Sequence, residues 1–201
     1  MILLYRYNSY IYKNYNGRGV SKIMSSLQKF HRRTNGGAPA VKLIGSEAPV
    51  AGAGFYLGFA GDGTSYMYVA PISTEEFLTW GSYGTTRGTV STTNGLANTN
   101  TLAGFGQAAH PSAYYCKNLT TGGYNTWYLP AKNELNTLYS NKSATPFATA
   151  NSFVGSYYWS STEDTVNTGY YAWIQTLALG YQLGTGKGWS NKVRAVRRSI
   201  S

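Results

Sequence analysis

Acid, base and nucleophile are scarce in this sequence. Its 201 residues hold seven carboxylates, two histidines and one cysteine. Glu163 and Asp164 close the block YYWSSTED over residues 157–164. Two carboxylates can divide general-acid and general-base work when both face one cleft. Neighbours on an extended strand point to opposite faces, so this pair fails that condition. Glu163 is expected instead to accept a salt bridge from Arg194 or Arg197 and to fix the loop after Trp159. His110 and Cys116 raise the idea of a cysteine nucleophile. No motif surrounds Cys116, and its spacing with Ala113 and Leu119 places it on the buried face of a short helix. His31 adjoins an apolar helix face and reads as a solvent-side or capping residue. Neither histidine has an Asp partner nearby in sequence, so nothing supports a Ser-His-Asp triad. The glycines of GAGFYLGFAGDG (52–63) lack the Lys-Ser/Thr of a phosphate-binding loop, and no helical pattern follows them. The chain is expected not to be an enzyme and to need neither a metal nor a cofactor.

The elements around these residues are short. Phe55 to Phe59 and Tyr66 to Val69 read as two strands joined by a Gly-Asp-Gly turn, a strong hairpin signal. Residues 71–109 carry Trp80 and then a polar Gly/Thr/Asn-rich stretch to Thr101, read as a long loop. Pro111 suits the first turn of a helix that ends near Gly122. Trp127 to Leu129 form a strand end, and Pro130 opens a helix with Leu135, Leu138 and Tyr139 on its apolar face. Glu134 lies in its first turn, near the positive end of the helix dipole. Ser156 to Ser161 form a strand with Trp159 at its centre. Tyr170 to Leu183 are a strand pair broken at Gly180, and Lys192 to Ser199 form a last strand.

The net charge of +10 is localised. Residues 1–46 contain eight basic residues and no acid, whereas residues 47–201 contain nine basic and seven acidic ones, a net of +2. Residues 1–40 therefore read as a basic, Tyr-rich arm, with a short amphipathic helix through Val20, Ile23, Met24, Leu27 and Phe30 and a linker over residues 34–40. The compact domain is expected over residues 41–201. The arm lacks the dense Lys/Arg run of a nucleic-acid tail, and its tyrosines suit a packed protein interface, with Tyr5, Arg6 and Arg18 as anchoring residues. Nucleic acid is not the expected partner. One cysteine excludes an intrachain disulfide. No apolar run approaches the ~20 residues of a membrane span, and the N-terminal apolar run, interrupted at Arg6, does not read as a signal peptide.

Binding fits the composition better than catalysis. The stretch from Asp164 to Asn191 interleaves aromatic residues with Asn and Gln, which supply contact area and adaptable hydrogen bonds. Tyr170, Tyr181, Gln182, Trp189 and Asn191 are the candidate ligand-binding residues. Trp159 and Trp173 are expected to be core.

The ordered blocks WGSYGTT, GYNTWYLPAKNEL, YYWSSTED, AW and KVRAVR together resemble the C-terminal domain of the Lcl-type collagen-like proteins, over roughly residues 50–198. The resemblance implies an α+β, C-type-lectin-like fold with two helices, a mixed antiparallel sheet and long loops. It also connects the chain to phage receptor-binding proteins and bacterial surface proteins. Calcium-binding lectin triplets are absent, as are the paired cysteines of the enzymatic branch. Where the family places a small polar helix cap, this chain has Ala131, which weakens that helix start by ~1 kcal/mol. The functional expectation is an outer component of a phage tail or fibre at the virion surface. Its arm would meet other virion proteins, and its C-terminal loops a host-surface glycan or protein. The chain is expected to be a homo-oligomer, with a trimer as the first candidate. The alternatives are a structural decoration or joining protein of the particle, and an extracellular bacterial adhesin.

Overall fold

The computed structural model describes residues 42–144, 147–150, 153 and 156–199. The expected arm, its helix and linker, and Tyr5, Arg6 and Arg18 lie outside the described residues. From Lys42 onward the chain forms one unit, an α+β arrangement of two sheets with helices between their strands.

The first sheet has the order β1-β2-β9-β4: β1 Phe55–Phe59, β2 Tyr66–Val69, β9 Val196–Ser199 and β4 Trp127–Tyr128, all pairs antiparallel. The expected hairpin forms as read. Its turn is fixed by Asp62, whose Oδ1 accepts from the amides of Thr64 and Ser65 at 2.9 and 2.8 Å, as Asx turns do. The second sheet has the order β3-β8-β5-β6-β7: β3 Glu76–Thr79, β8 Ser190–Val193, β5 Tyr157–Glu163, β6 Tyr171–Thr176 and β7 Gln182–Gly186. It is mixed, because β5 and β8 meet in parallel at Tyr158 and Lys192. Gly180 closes the β6–β7 turn with a φ of 85°, a conformation that glycine adopts without strain.

Two strand readings need correction. β3 falls in a segment read as loop. The single last strand is two, because the chain leaves one sheet for the other at Arg194 and Ala195. Arg194 holds this crossing: its Nε donates to the Ala70 carbonyl at 2.6 Å and its Nη1 to Glu75 Oε1 at 2.8 Å, while the Ala70 amide donates to the Ala195 carbonyl at 2.9 Å.

The helices are α1 Gly95–Ala103, α2 Pro111–Asn118, α3 Lys132–Asn141 and the single turn α4 Phe147–Ala150. Among the described residues three full helices thus replace the expected two, and α1 occupies part of the supposed polar loop. Its sequence concealed it because its buried face is largely small or polar. Asn98 Nδ2 donates to the Ser91 carbonyl at 2.7 Å, and Thr99 Oγ1 exchanges hydrogen bonds with the backbone of Leu129. Asn94 caps its start through the Ala97 amide at 3.1 Å. In α2, Pro111 takes a first-turn position and Cys116 is fully buried, as expected.

Pro130 stands ahead of α3 rather than opening it, and Ala131 is the cap residue. Ala131 offers no acceptor, yet the exposed amides of the first turn are satisfied from elsewhere. The Lys132 amide donates to Thr162 Oγ1 at 3.0 Å and the Asn133 amide to the Thr92 carbonyl at 2.8 Å. Neighbouring segments thus provide the acceptors that a polar cap residue would otherwise supply.

Glu134 reaches back to the Ala131 amide at 2.9 Å through Oε2, which also accepts from the Gly95 amide at 3.2 Å. Its Oε1 accepts from the Gly61 amide at 3.2 Å, the Tyr128 hydroxyl at 3.0 Å and Arg198 Nη2 at 2.9 Å. This carboxylate is 1% exposed and ties together the β1–β2 turn, the start of α1, β4, α3 and β9. Both donor glycines lack room for a side chain. A Cβ on Gly61 would stand 1.8 Å from the Thr93 carbonyl oxygen, and one on Gly95 2.4 Å from Glu134 Oε2. Around this junction, one apolar cluster joins Leu57, Met67, Tyr128, Leu135, Leu138 and Phe147, and a second gathers Trp80, Leu102, Cys116, Trp127, Trp159 and Val193.

Replacing Glu134 with Ala takes an acceptor from Arg198, from the Tyr128 hydroxyl and from three backbone amides. A loss of about 3–5 kcal/mol is expected, as for removal of one member of a buried pair, measured by urea denaturation. Gly95→Ala should also destabilise, by overpacking.

Candidate functional site

The second motif carboxylate, Glu163, ends β5 with no exposure. Its Oε1 accepts from Lys187 Nζ at 2.6 Å and from the Arg87 amide at 2.8 Å, and its Oε2 from the Thr89 amide at 3.1 Å. The expected partners, Arg194 and Arg197, are engaged elsewhere. Arg194 pairs with Glu75, and Arg197 donates to the Ala53 carbonyl and packs over Tyr68 and Tyr124. The correction has a topological reason. Glu163 lies at the far end of β5, beside the loop after β7, whereas the arginines lie at or beyond the crossing between sheets.

Lys187 is as deeply buried as its partner, with no exposure. Besides Glu163 it donates to the carbonyls of Thr85 at 2.7 Å and Thr168 at 2.5 Å, and it lies 4.6 Å from the Trp80 ring centre. Burial lowers its pKa, and the bond to Glu163 opposes that shift. One ammonium thus draws together residues 80–89, 163–170 and 186–189. Two further contacts close the junction: the Thr86 and Thr168 hydroxyls at 3.0 Å, and the Lys187 amide on the Tyr170 carbonyl at 2.9 Å.

Above this buried pair the same three loops present aromatic rings to solvent. Tyr83 and Tyr170 lie 5.0 Å apart between ring centres. Trp189 folds over Gly186, where an added Cβ would stand 2.8 Å from Trp189 Cδ1 and 3.8 Å from Tyr83 Cε2. The three are 63%, 50% and 71% exposed, so the cluster is available for contact.

The structure divides the sequence-derived set. Tyr170 and Trp189 belong to the cluster. Tyr181, also exposed, and Gln182 lie at the opposite end of the β6–β7 hairpin: Gln182 pairs with Gln175, four residues along from the Tyr171–Gly186 pair, or roughly 13 Å at the usual strand rise. Gln182 is committed, its Nε2 donating to the Lys132 carbonyl at 2.8 Å and to Gln175 Oε1 at 3.1 Å. Asn191 is half-buried on β8, opposite Leu78. Tyr83 was missed, although its setting beside Gly84 in WGSYGTT resembles that of Tyr170 beside Gly169. Trp159 is core, with no exposure. Trp173 is not: it is only partly buried, and Lys132 Nζ stands 3.1 Å from its ring centre. Its strand neighbours Ala172 and Ile174 face the core, so Trp173 faces the other way.

The Lcl C-terminal domain family matches residues 74–197, well over half of the chain. The chain belongs to that family. No curated protein matches it. The family match begins after the β1–β2 hairpin, yet in this Lcl C-terminal domain β2 pairs with β9, so the hairpin is part of the same sheet. The family blocks WYLPAKNEL and WSSTED contain Glu134 and Glu163, both occupied by several donors. Among the described residues of this Lcl domain, no three His, Cys, Asp or Glu side chains group to hold a metal ion, and no helix is long and apolar enough to cross a membrane. A groove of about 340 Å³ between β3 and α2, lined by Leu78, Pro111, Tyr114 and Tyr115 among others, shares no residue with the aromatic cluster.

His110 and Cys116 occupy buried positions. Burial raises the Cys116 thiol far above its usual range, which removes the reactive thiolate. His110 caps α2, accepts from Arg87 Nε at Nε2 over 2.9 Å, and leaves Nδ1 without a hydrogen-bond partner. Burial, with Arg87 beside it, pushes its pKa down to about 4 from 6.5.

Two outcomes follow. Lys187→Met strands a buried carboxylate and should destabilise the domain by about 3–5 kcal/mol in urea titrations. Between pH 6.5 and 4 the unfolded chain takes up a proton at His110 that the folded chain does not. The His110 contribution therefore falls as pH drops through that window and levels off below it. His110→Gln should remove this component, giving a shallower loss of urea midpoint over the same range than the unsubstituted chain.

Proposed function

We propose that this domain is a non-enzymatic recognition module of C-type-lectin-like architecture, binding a host-surface receptor or glycan through Tyr83, Tyr170 and Trp189. The observation that carries the reading is three large, mostly exposed rings on loops fixed by a buried ion pair, with Tyr83 and Tyr170 in contact and Trp189 beside them over Gly186. Large rigid rings give contact area at low entropic cost, and prior fixation of the loops reduces what binding must order. A catalytic reading has less support, because both motif carboxylates are saturated by structural donors. The setting we propose is the outside of a phage tail or fibre, in a homo-oligomer, with the basic residues 1–40 joining other virion proteins through Tyr5, Arg6 and Arg18.

The test scores alanine variants at Tyr83, Tyr170 and Trp189 for melting and for particle adsorption to host cells. Each should shift stability by no more than ~0.5 kcal/mol, as exposed positions do, and should reduce adsorption. Tyr181→Ala, at the other end of the hairpin, should adsorb as the unsubstituted protein does. Normal adsorption by all three cluster variants would reject recognition in favour of a decorating or joining role.

A further inference from the structure

The groove between β3 and α2 lies apart from the aromatic cluster. Its volume of about 340 Å³ falls at the small end of the range for small-molecule sites, roughly 300–1,000 Å³. Leu78, Pro111 and Leu119 give it apolar walls, and Tyr114 and Tyr115 add two aromatic side chains. Leu78, Tyr115 and Leu119 also pack against the core cluster around Trp80 and Trp159, so these walls are held in place. The Tyr115 hydroxyl donates to the Thr74 carbonyl at 2.8 Å, which fixes that side chain at its tip.

One charged residue lines this groove. Glu76 stands two residues before Leu78 on β3, and residues two apart on a strand share a face. The other lining residues are uncharged. Burial, with Glu76 beside it, pushes the Tyr115 pKa up to about 12, so Tyr115 adds no second anion at neutral pH. Glu76 is exposed, and its carboxylate receives no hydrogen bond or ion pair from a described residue. Asp62, Glu75, Glu134, Glu163 and Asp164, by contrast, each accept at least two hydrogen bonds. The cations of the adjoining elements are committed elsewhere. Lys192 stands opposite Phe77, on the other face of β3, and with Arg194 it serves Glu75. Lys117 on α2 donates to Asn100 Oδ1 on α1 at 2.9 Å.

We infer that this groove is a binding site for a small organic cation, an ammonium carried on an apolar body, with Glu76 as its counter-ion and Leu78, Tyr114 and Leu119 as walls around that body. A carboxylate that lacks a partner gains a charge-assisted hydrogen bond from an ammonium, and tyrosine side chains attract cations as well as apolar groups. A neutral ligand of the same shape loses the charge contribution, and an anionic one meets repulsion. One carboxylate is too few for a metal ion, and no three metal-ligating side chains group among the described residues. Strand addition by a peptide needs free backbone groups, whereas the carbonyls along this edge already accept from side chains: Thr74 from Tyr115, Leu78 from Trp159 Nε1 at 2.9 Å and Thr79 from Ser112 Oγ at 2.6 Å. The groove shares no residue with Tyr83, Tyr170 and Trp189, so the inference does not rest on the recognition reading.

The full chain, labelled at its leucine methyl groups, is titrated by NMR at neutral pH and constant ionic strength. The probes are hexylammonium and benzylammonium, each beside the alcohol and the carboxylate of matching shape. Saturable shifts of the Leu78 and Leu119 methyl signals are expected with at least one ammonium, at least tenfold weaker binding of its alcohol, and none of its carboxylate. Glu76→Gln should weaken the ammonium tenfold or more, to the level of the alcohol, while melting stays unchanged because no structural hydrogen bond is lost. Equal binding of ammonium and alcohol would reduce the groove to an apolar contact and overturn the inference. Ammonium binding that survives Glu76→Gln also overturns it, as does the absence of a saturable shift with either ammonium. Shifts produced only by a lysine-bearing extended peptide, titrated in parallel, reject the small-molecule site in favour of a protein contact.

Discussion

A carboxylate taken out of water is tolerable only when its lone pairs are occupied. Glu134 and Glu163 both meet that requirement, and most of the architecture is arranged to let them. Glu134 collects donors from five separate segments, including a tyrosine hydroxyl kept protonated by burial and by the carboxylate beside it. Such a junction cannot be half-made. Each missing donor leaves a buried charge underserved, so the segments are held in one mutual arrangement rather than a family of similar ones. The close approach of Gly61 and Gly95 follows from the same demand, since backbone amides reach the carboxylate only where no side chain intervenes.

Glu163 carries this logic to the surface. With Lys187 it forms an ion pair in which the ammonium also serves two carbonyls, and those carbonyls belong to loops that have little apolar side chain of their own. Residues 81–89 and 163–170 are rich in Gly and Thr and offer almost nothing to a hydrophobic core. A buried charge pair is a poor source of net stability, but here it supplies fixed geometry to segments that could not obtain it from packing. The exposed rings of Tyr83, Tyr170 and Trp189 inherit that geometry.

Other basic residues of the domain show the same economy. Glu75 receives Tyr158, Lys192 and Arg194, and Arg198 serves Glu134 and Asp62. The near-neutral charge of residues 47–201 is therefore largely internal structure. In this respect Lys132, which lies over a ring beside an acid and makes no structural hydrogen bond through its ammonium, differs from its counterparts.

The features legible in the chain before folding are local or are conveyed by an ordered set of blocks. The β1–β2 hairpin was legible because a Gly-Asp-Gly turn between two β-rich runs depends on neighbouring residues alone. The same is true of Pro111 at the start of α2, the β6–β7 break at Gly180, and the burial of Cys116. Membership of the Lcl C-terminal domain family was legible because the blocks recur in order. Tertiary structure decided the rest. Helix α1 presents polar residues to the interior, and only partners such as Ser91 and Leu129 make that face stable, so no apolar period announced it. The weak cap at Ala131 is repaired by Thr92 and Thr162, which the local sequence cannot reveal. Glu163 found Lys187 instead of an arginine because pairing follows position across strands, not proximity in the chain. Trp173 and Trp159 each sit in an aromatic-rich strand, and only the side of the sheet they face makes one core and the other surface. The candidate binding residues dispersed for the same reason. Exposure could be guessed from polar and glycine neighbours, but which exposed rings meet depended on how a buried ion pair drew three loops together.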